Sequence, residues 1–420
     1  MHKLQTLSNS LRLITIPMQG TKTVTVLVMV GTGSKYETKD NNGISHFLEH
    51  MFFKGTNKRP TALAISSELD KAGGIYNAFT GKEYTGFWVK VAANQIELAL
   101  DVVSDMLVNS KFDSAEIERE KGVIIEEINM YQDNPLYYLE DVFEQCLYGD
   151  QPAGWDTSGT KQNVNRFKRR DFINYLSSQY GSQHSFVSLA GKINPNVNKL
   201  VSKYFSKINT SDFKNKVLVQ EKQTKPQIKL HYKKTDQAHL SLGVRTFPLG
   251  YKDEFILKMM SILLGGSMSS RLFIQLRERR GLAYYVRSQA EFYTDSGYLA
   301  AQAGVPLQKL EQAIKVILTE YKKLTNTLVN NKELDKTKQL LQGRITLQLE
   351  ASDNVANWYG RSAVLRDKIL TPENFFKIIN KVTARDIQRV AKNIFKNIGL
   401  NLAIIGPFKN KSKFLKILKL

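Results

Sequence analysis

Two histidines four residues apart, with a glutamate beside the second, are the residues of this chain best suited to chemistry: His46-Phe47-Leu48-Glu49-His50. On a helix, positions i and i+4 stand about one turn apart and project from the same side. Two imidazoles so placed match the spacing a metal such as Zn²⁺ takes from a helix. At about 100° per residue, Glu49 points within about 100° of both histidines, where it can exchange a proton beside a metal. Ile44, Phe47, Leu48, Met51 and Phe52 fall on the other side. The pattern therefore predicts a helix with a polar trio on one face and an apolar stripe on the other. The order H-x-x-E-H inverts the H-E-x-x-H arrangement of other zinc helices.

A second helix, expected over about Ser114 to Tyr131, bears on the same chemistry. Ile117, Val123, Ile124, Ile128 and Tyr131 define its apolar face, and Glu120 and Glu127 fall inside that face, seven residues apart. Buried carboxylates are costly unless paired, protonated or bound to a cation. With a His-x-x-x-His helix in the same chain, a third metal ligand is the better account of them. Facing selects Glu127 or Glu120 and leaves out Glu118 and the adjacent Glu126.

The elements that must position these residues are legible in outline. Residues 1 to 31 read as strands, including the buried run Thr23 to Val30. Asp40-Asn41-Asn42-Gly43 is a turn into the motif helix, and Gly55-Thr56 ends that helix. A helix over about Ala62 to Ala72, a strand over Gly74 to Thr80 and a strand over Tyr84 to Val91 follow. Residues 132 to 165 carry the turn signals Asp133-Asn134-Pro135 and Asp150-Gln151-Pro152. Thr210 to Lys225 is polar and lysine-rich and reads as an interdomain linker. The second half repeats the first in pattern: Leu310 to Ile314 echoes Ile96 to Leu100, and Lys332 to Lys336 echoes Ala115 to Arg119. In that register Leu257, Met260 and Ser261 stand opposite His46, Glu49 and His50. Thr337 and Arg344 stand opposite Glu120 and Glu127, so the second copy keeps the scaffold and lacks the metal residues. The expected division is 1–210, a linker at 211–225, and 226–420.

At 420 residues the chain exceeds one ordinary core. A single cysteine, Cys146, excludes an intrachain disulfide and fits a reducing compartment, so a cytoplasmic protein is expected. No secretory signal pattern opens the chain, and no apolar run is long enough to span a bilayer. The net charge is +21, with lysine more than twice as common as arginine. No nucleic-acid-binding motif accompanies it, so a solvated basic surface is expected and no nucleic-acid partner. The basic segment Lys409 to Leu420 reads as a solvated end, with membrane-surface binding as the other option and no stable insertion.

Taken together, these segments resemble the pitrilysin, or insulinase, family of zinc peptidases, which includes the mitochondrial processing peptidase and many short bacterial members. His46 to His50 followed by Met51-Phe52-Phe53-Lys54-Gly55-Thr56 resembles its inverted signature, and Glu120 to Ile128 its distal-glutamate segment. Gly74 to Thr80 is similar to its substrate-edge strand. Ser270-Arg271-Leu272-Phe273, Leu276-Arg277 and Gly281-Leu282-Ala283-Tyr284 are similar to its C-terminal segment. The resemblance implies an α+β fold of two tandem homologous α/β domains, each a mainly antiparallel sheet packed with helices. It implies one Zn²⁺ per chain on His46, His50 and Glu127, with Glu49 as general base and Glu120 orienting a ligand. Asn77, Ala78 and Phe79 would hold substrate, and Arg277 and Tyr284 would bind it and stabilise the reacting carbonyl. The implied activity is endopeptidase cleavage of unfolded oligopeptides laid on an edge strand inside a closed chamber. That chamber would be formed by a homodimer or by a heterodimer with a related subunit. The alternative is a catalytically silent scaffold or partner subunit, which a lost ligand or base would mark.

Overall fold

The apolar runs of the sequence become strands and the runs of period 3.6 become helices. A computed structural model describes residues 2–420, which fall into two compact units. The first consists of the chain up to Asn129, Asp156–Val217 and Thr346–Leu370. The second consists of Met130–Trp155, Leu218–Ile345 and Thr371–Leu420.

In the first unit, β1 (Lys3–Thr6), β2 (Arg12–Pro17), β3 (Thr23–Val30), β4 (Ile75–Thr80), β5 (Thr85–Ala92) and β6 (Ser185–Gly191) form one sheet. Its order is β1-β2-β6-β3-β5-β4, and among the described strands only the β2/β6 pair is parallel. Strand β3 sends Val24, Val26, Val28 and Val30 into one core cluster and Leu27 and Met29 into another. Burial on both faces is why its sequence is apolar at every position from Val24 to Val30 except the buried Thr25. The first cluster is covered by α1 (Ile44–Met51), α2 (Ala62–Lys71), α3 (Ile96–Asn109) and α4 (Ser114–Asp133). The chain then leaves this unit for α5 (Pro135–Tyr148) and returns with α6 (Lys161–Arg166), α7 (Arg169–Gln179) and α8 (Val197–Phe205).

The second unit has β7 (Gln227–Tyr232), β8 (Gln237–Thr246), β9 (Tyr285–Phe292), β10 (Gly297–Pro306) and β11 (Leu400–Gly406) in the order β7-β11-β8-β10-β9. Its only parallel pair among the described strands is β7/β11. With β1 set aside, both sheets have the same strand order and the same position for the parallel pair, which is the repeat read from the sequence. Helices α9 (Glu254–Gly265), α10 (Leu310–Asn326), α11 (Asn331–Gln348), α12 (Ser352–Leu365), α13 (Pro372–Lys381), α14 (Ala384–Ile394) and α15 (Ser412–Ile417) complete this half of the chain.

Each half of the sequence lends one helix to the other unit. Leu139, Val142, Phe143 and Leu147 of α5 pack with Tyr298, Ala300, Ala403 and Ile405 of the second sheet. Val355, Ala356, Tyr359 and Ala363 of α12 pack with Ile14, Ile16, Leu27, Met29 and Phe186 of the first. The chain passes from the first unit to the second three times, at Asn129/Met130, Val217/Leu218 and Leu370/Thr371, and the exchange of α5 and α12 is not anticipated by a division at 211–225.

Three local readings need correction. Asp133-Asn134-Pro135 is a helix start: the Asn134 side chain accepts the Leu136 N–H at 3.1 Å, and Pro135 takes the first helical position. Asparagine and proline serve helix starts as well as turns, so their presence alone misleads. Val123 is exposed on α4, one position from buried Ile124, so the apolar stripe is narrower than expected. The C-terminal segment is not a free end: Phe414 and Leu418 are buried and dock it, while Lys409, Lys411, Lys413, Lys416 and Lys419 are exposed to solvent.

Below the motif helix, Arg59 is buried with three carboxylates. It donates to Asp101 at 2.7 Å, Asp105 at 2.8 Å and Glu68 at 2.8 Å, fastening the loop after α1 to α2 and α3. Removing one partner of a buried ion cluster strands the others. Arg59→Met is therefore expected to cost about 3–5 kcal/mol, read as a lowered urea midpoint. A midpoint unchanged from wild type would reject this role for Arg59.

Candidate active site

Helix α1 is locked at its start and along its apolar side. Gly43 opens it at φ +100°, where an added Cβ would meet the Ser158 carbonyl oxygen at 2.7 Å. The buried Glu37 carboxylate then accepts the N–H groups of Gly43 and Ser45, each at 2.8 Å, and Asn42 Nδ2 at 2.9 Å. A carboxylate at a helix start satisfies otherwise orphaned donors and the positive end of the dipole. Ile44, Phe47, Leu48, Met51 and Phe52 are all fully buried, as the sequence pattern requires.

The polar side faces α4. His46 Nε2 and His50 Nε2 lie 3.6 Å and 3.4 Å from the same Glu127 oxygen, Oε2. One ligand atom from each of the three residues lies within 4.8 Å of the others, so His46, His50 and Glu127 form a group that can hold a metal ion. Glu126 is not part of it; it is exposed and accepts from Asn129. His50 Nδ1 is 2.8 Å from Glu120 Oε1, and the other Glu120 oxygen is 2.5 Å from Lys54 Nζ. Burial by itself would lower the His50 pKa, but its bonds to Glu120 and Glu127 outweigh that and push it up to about 9. Hydrogen bonding from His46 and then from His50 holds the Glu127 carboxyl well below the usual range.

This donor set fits zinc. Two imidazole nitrogens and a carboxylate oxygen are the ligands of the His₂Glu class of catalytic sites, which keep a fourth position for water or substrate. A histidine whose second nitrogen donates to a carboxylate, as His50 does to Glu120, is the usual support for such a ligand. Among the described residues, His46 Nδ1 is buried without a hydrogen-bond partner, so His46 has no comparable support there.

Glu49 is on the same helix and half-buried. Burial raises its pKa, opposed by a hydrogen bond from Thr80 and by the two histidines. The Thr80 hydroxyl donates to Glu49 Oε2 at 2.6 Å. Thr80 is the last residue of β4, which, among the described strands, has a neighbour on only one side and is therefore one of the two edges of the sheet. Asn77 and Ala78 are midway along that edge, and Asn77 Oδ1 accepts the Ala78 N–H at 2.8 Å. Phe79 is packed on the opposite side of the sheet from Glu49. Its ring covers Gly86, where an added Cβ would sit 2.2 Å away, and it joins the cluster under α12. Arg277 and Tyr284 belong to the second unit; both are exposed, and the guanidinium is 5.7 Å from the Tyr284 ring centre. Lys54 and Thr80 also belong to the site, beyond the residues expected there from sequence. Lys54, four residues after His50, had a helical-spacing signal; nothing in the sequence linked Thr80 to Glu49.

Comparison with known proteins agrees with this geometry. The family model described as insulinase (peptidase family M16) matches residues 12–161, and the model described as the peptidase M16 inactive domain matches residues 166–341. An uncharacterized zinc protease of Bacillus subtilis, YmxG, is 36% identical over 98% of this chain and 99% of its own length. The chain belongs to the insulinase family, peptidase family M16. Among other insulinase-family relatives, an uncharacterized zinc protease of Rickettsia felis is 33% identical over 96% of each chain. A solved protease structure from Helicobacter pylori superposes with a TM-score of 0.91 at 25% identity, over 97% of this chain and all of that one. The "inactive domain" match begins at residue 166, within the first unit, and runs on through Leu257, Met260 and Ser261 to residue 341. Among the described residues, no helix is long and apolar enough to cross a membrane.

Proposed function

We propose that this insulinase-family protein is a zinc-dependent endopeptidase acting on unfolded oligopeptides. The observation that carries this reading is the hydrogen bond from Thr80 of the open edge strand to Glu49, beside the His46/His50/Glu127 group. Zinc held by His46, His50 and Glu127 would supply Lewis acidity, which lowers the pKa of a coordinated water from about 15.7 to about 7. Glu49 takes the proton of the attacking water and returns it to the leaving amine. Strand β4 receives the peptide by β-augmentation, with backbone groups around Asn77, Ala78 and Phe79 as partners. Arg277 and Tyr284 bind the peptide and donate to the carbonyl oxygen as charge develops on it. Glu120, held by Lys54, orients His50. The silent-scaffold alternative requires a missing ligand or base, and the chain retains all of them. Metal analysis coupled to a quenched-peptide assay tests the reading. Activity should follow zinc content and disappear with a chelator, and zinc-loaded protein that cleaves no peptide would reject it.

An edge strand needs an extended partner, so a denatured protein should be cut at least about tenfold faster than its folded form. Rapid internal cleavage of a stable folded domain would contradict the substrate class.

We further propose that two chains pair and that Arg277 and Tyr284 serve the partner's site. Both are solvent-facing within their own unit, as groups offered to something outside it would be. Glu49→Gln and Tyr284→Phe chains, each nearly inactive, should then regain about one active site per mixed dimer when combined, because one site carries both intact halves. Subunit exchange seen by mass without recovery of activity would reject pairing in trans.

A further inference from the structure

The side chain of Glu49 has no fixed direction of its own. The helix sets its Cα–Cβ bond, but the terminal torsion of a glutamate is broad, so a neighbour must decide which oxygen faces the substrate. Among the described residues, Thr80 donates a hydrogen bond to that carboxylate, at 2.6 Å to Oε2. An ionised carboxylate can only accept, so the hydroxyl donates, and a short O–H···O⁻ bond of this kind is among the stronger ones.

We propose that Thr80 is the positioning residue for the catalytic base: its hydroxyl pins Glu49 Oε2, leaves Oε1 to carry the proton, and ties that alignment to the strand that receives the peptide. The inference rests on the peptidase reading of the site.

Thr80 is well placed for this because it is itself held. A β-branched side chain has little freedom at χ1. Thr80 pairs with Thr85 across the β4–β5 hairpin. In the turn between them, the Gly81 N–H bonds the Tyr84 carbonyl at 2.8 Å. The Gly81 and Lys82 carbonyls accept the N–H groups of Ser34 at 3.2 Å and Lys35 at 2.8 Å. Glu83 in the same turn is buried and ion-paired with Lys35 at 3.0 Å and with Lys216. Side chains alternate along a strand, so Tyr76, Ala78 and Thr80 share the face toward α1. The hydroxyl that holds the base and the backbone that would hold the substrate therefore belong to one braced hairpin.

The test compares Thr80→Val, which keeps the shape and removes the donor, with Thr80→Ser, which keeps the donor. Thr80→Val should lower kcat about 10- to 100-fold with KM within about threefold of wild type, because the strand's backbone groups remain. Thr80→Ser should recover kcat to within about threefold of wild type. Zinc content and the thermal midpoint should match wild type in both variants. Crystal structures should show the Glu49 carboxylate turned in Thr80→Val and in place in Thr80→Ser. A Thr80→Val enzyme with wild-type kcat, or with the loss confined to KM, would overturn the inference while leaving the peptidase reading intact. So would an unmoved Glu49 in Thr80→Val. A zinc-loaded wild type without peptidase activity would overturn both.

Discussion

Glu49→Gln is expected to keep one zinc per chain and a native thermal midpoint while losing peptide turnover by about 10²- to 10⁴-fold or more. The substitution preserves the length of the side chain and its ability to accept from Thr80, 2.6 Å away, so the local packing is undisturbed. What it removes is a group that can take up a proton. The metal trio is drawn from His46, His50 and Glu127, none of which is bonded to Glu49 through a side chain, so metal retention should be unaffected. The loss should exceed that of a simple base deletion, because the same carboxyl returns the proton to the leaving amine. Metal analysis, melting and steady-state kinetics on one preparation make the check. A variant with near-normal turnover would remove Glu49 from the chemistry, and a variant without zinc would instead make it part of the metal site.

Glu127→Gln is expected to weaken zinc binding by more than about 100-fold, whereas Glu126→Gln should change it by less than about threefold. The two residues are neighbours in sequence with the same side chain, so helix propensity and net charge change equally. Only Glu127 lies within reach of both imidazoles, at 3.6 Å and 3.4 Å; Glu126 is exposed. Replacing the carboxylate by an amide exchanges an anionic ligand for a neutral one and removes the acceptor that the two histidines share. Competition with a zinc-chelating dye measures the difference directly. Equal affinity in the two variants would exclude Glu127 as a ligand.

Much of this protein is written locally. The spacing of His46, Glu49 and His50 on an amphipathic helix is a property of eleven or so consecutive residues, and burial of Ile44, Phe47, Leu48, Met51 and Phe52 follows from the same period. The placement of Glu120 and Glu127 on the inner side of α4 is of the same kind, since a helix's own period says which residues look inward. The repeat is also legible, because each half must pattern the same strands and helices, and both sheets carry the same strand order.

What periodicity cannot say is which inward-facing residue meets which. Helical facing left Glu120 and Glu127 equivalent as third ligand. The packing of α4 on α1 separated them, placing Glu127 at the two Nε2 atoms and Glu120 behind His50 Nδ1. The exchange of α5 and α12 between units was invisible because an apolar stripe does not name the sheet that will cover it. The bond from Thr80 to Glu49 joins residues 31 apart in sequence and lies on no repeat of any helix or strand, so only the fold could bring the base to the edge strand. Local spacing determined the chemistry this chain can offer. Long-range packing decided which residues share it, because contacts between elements depend on how whole faces fit and no short window of sequence contains both faces.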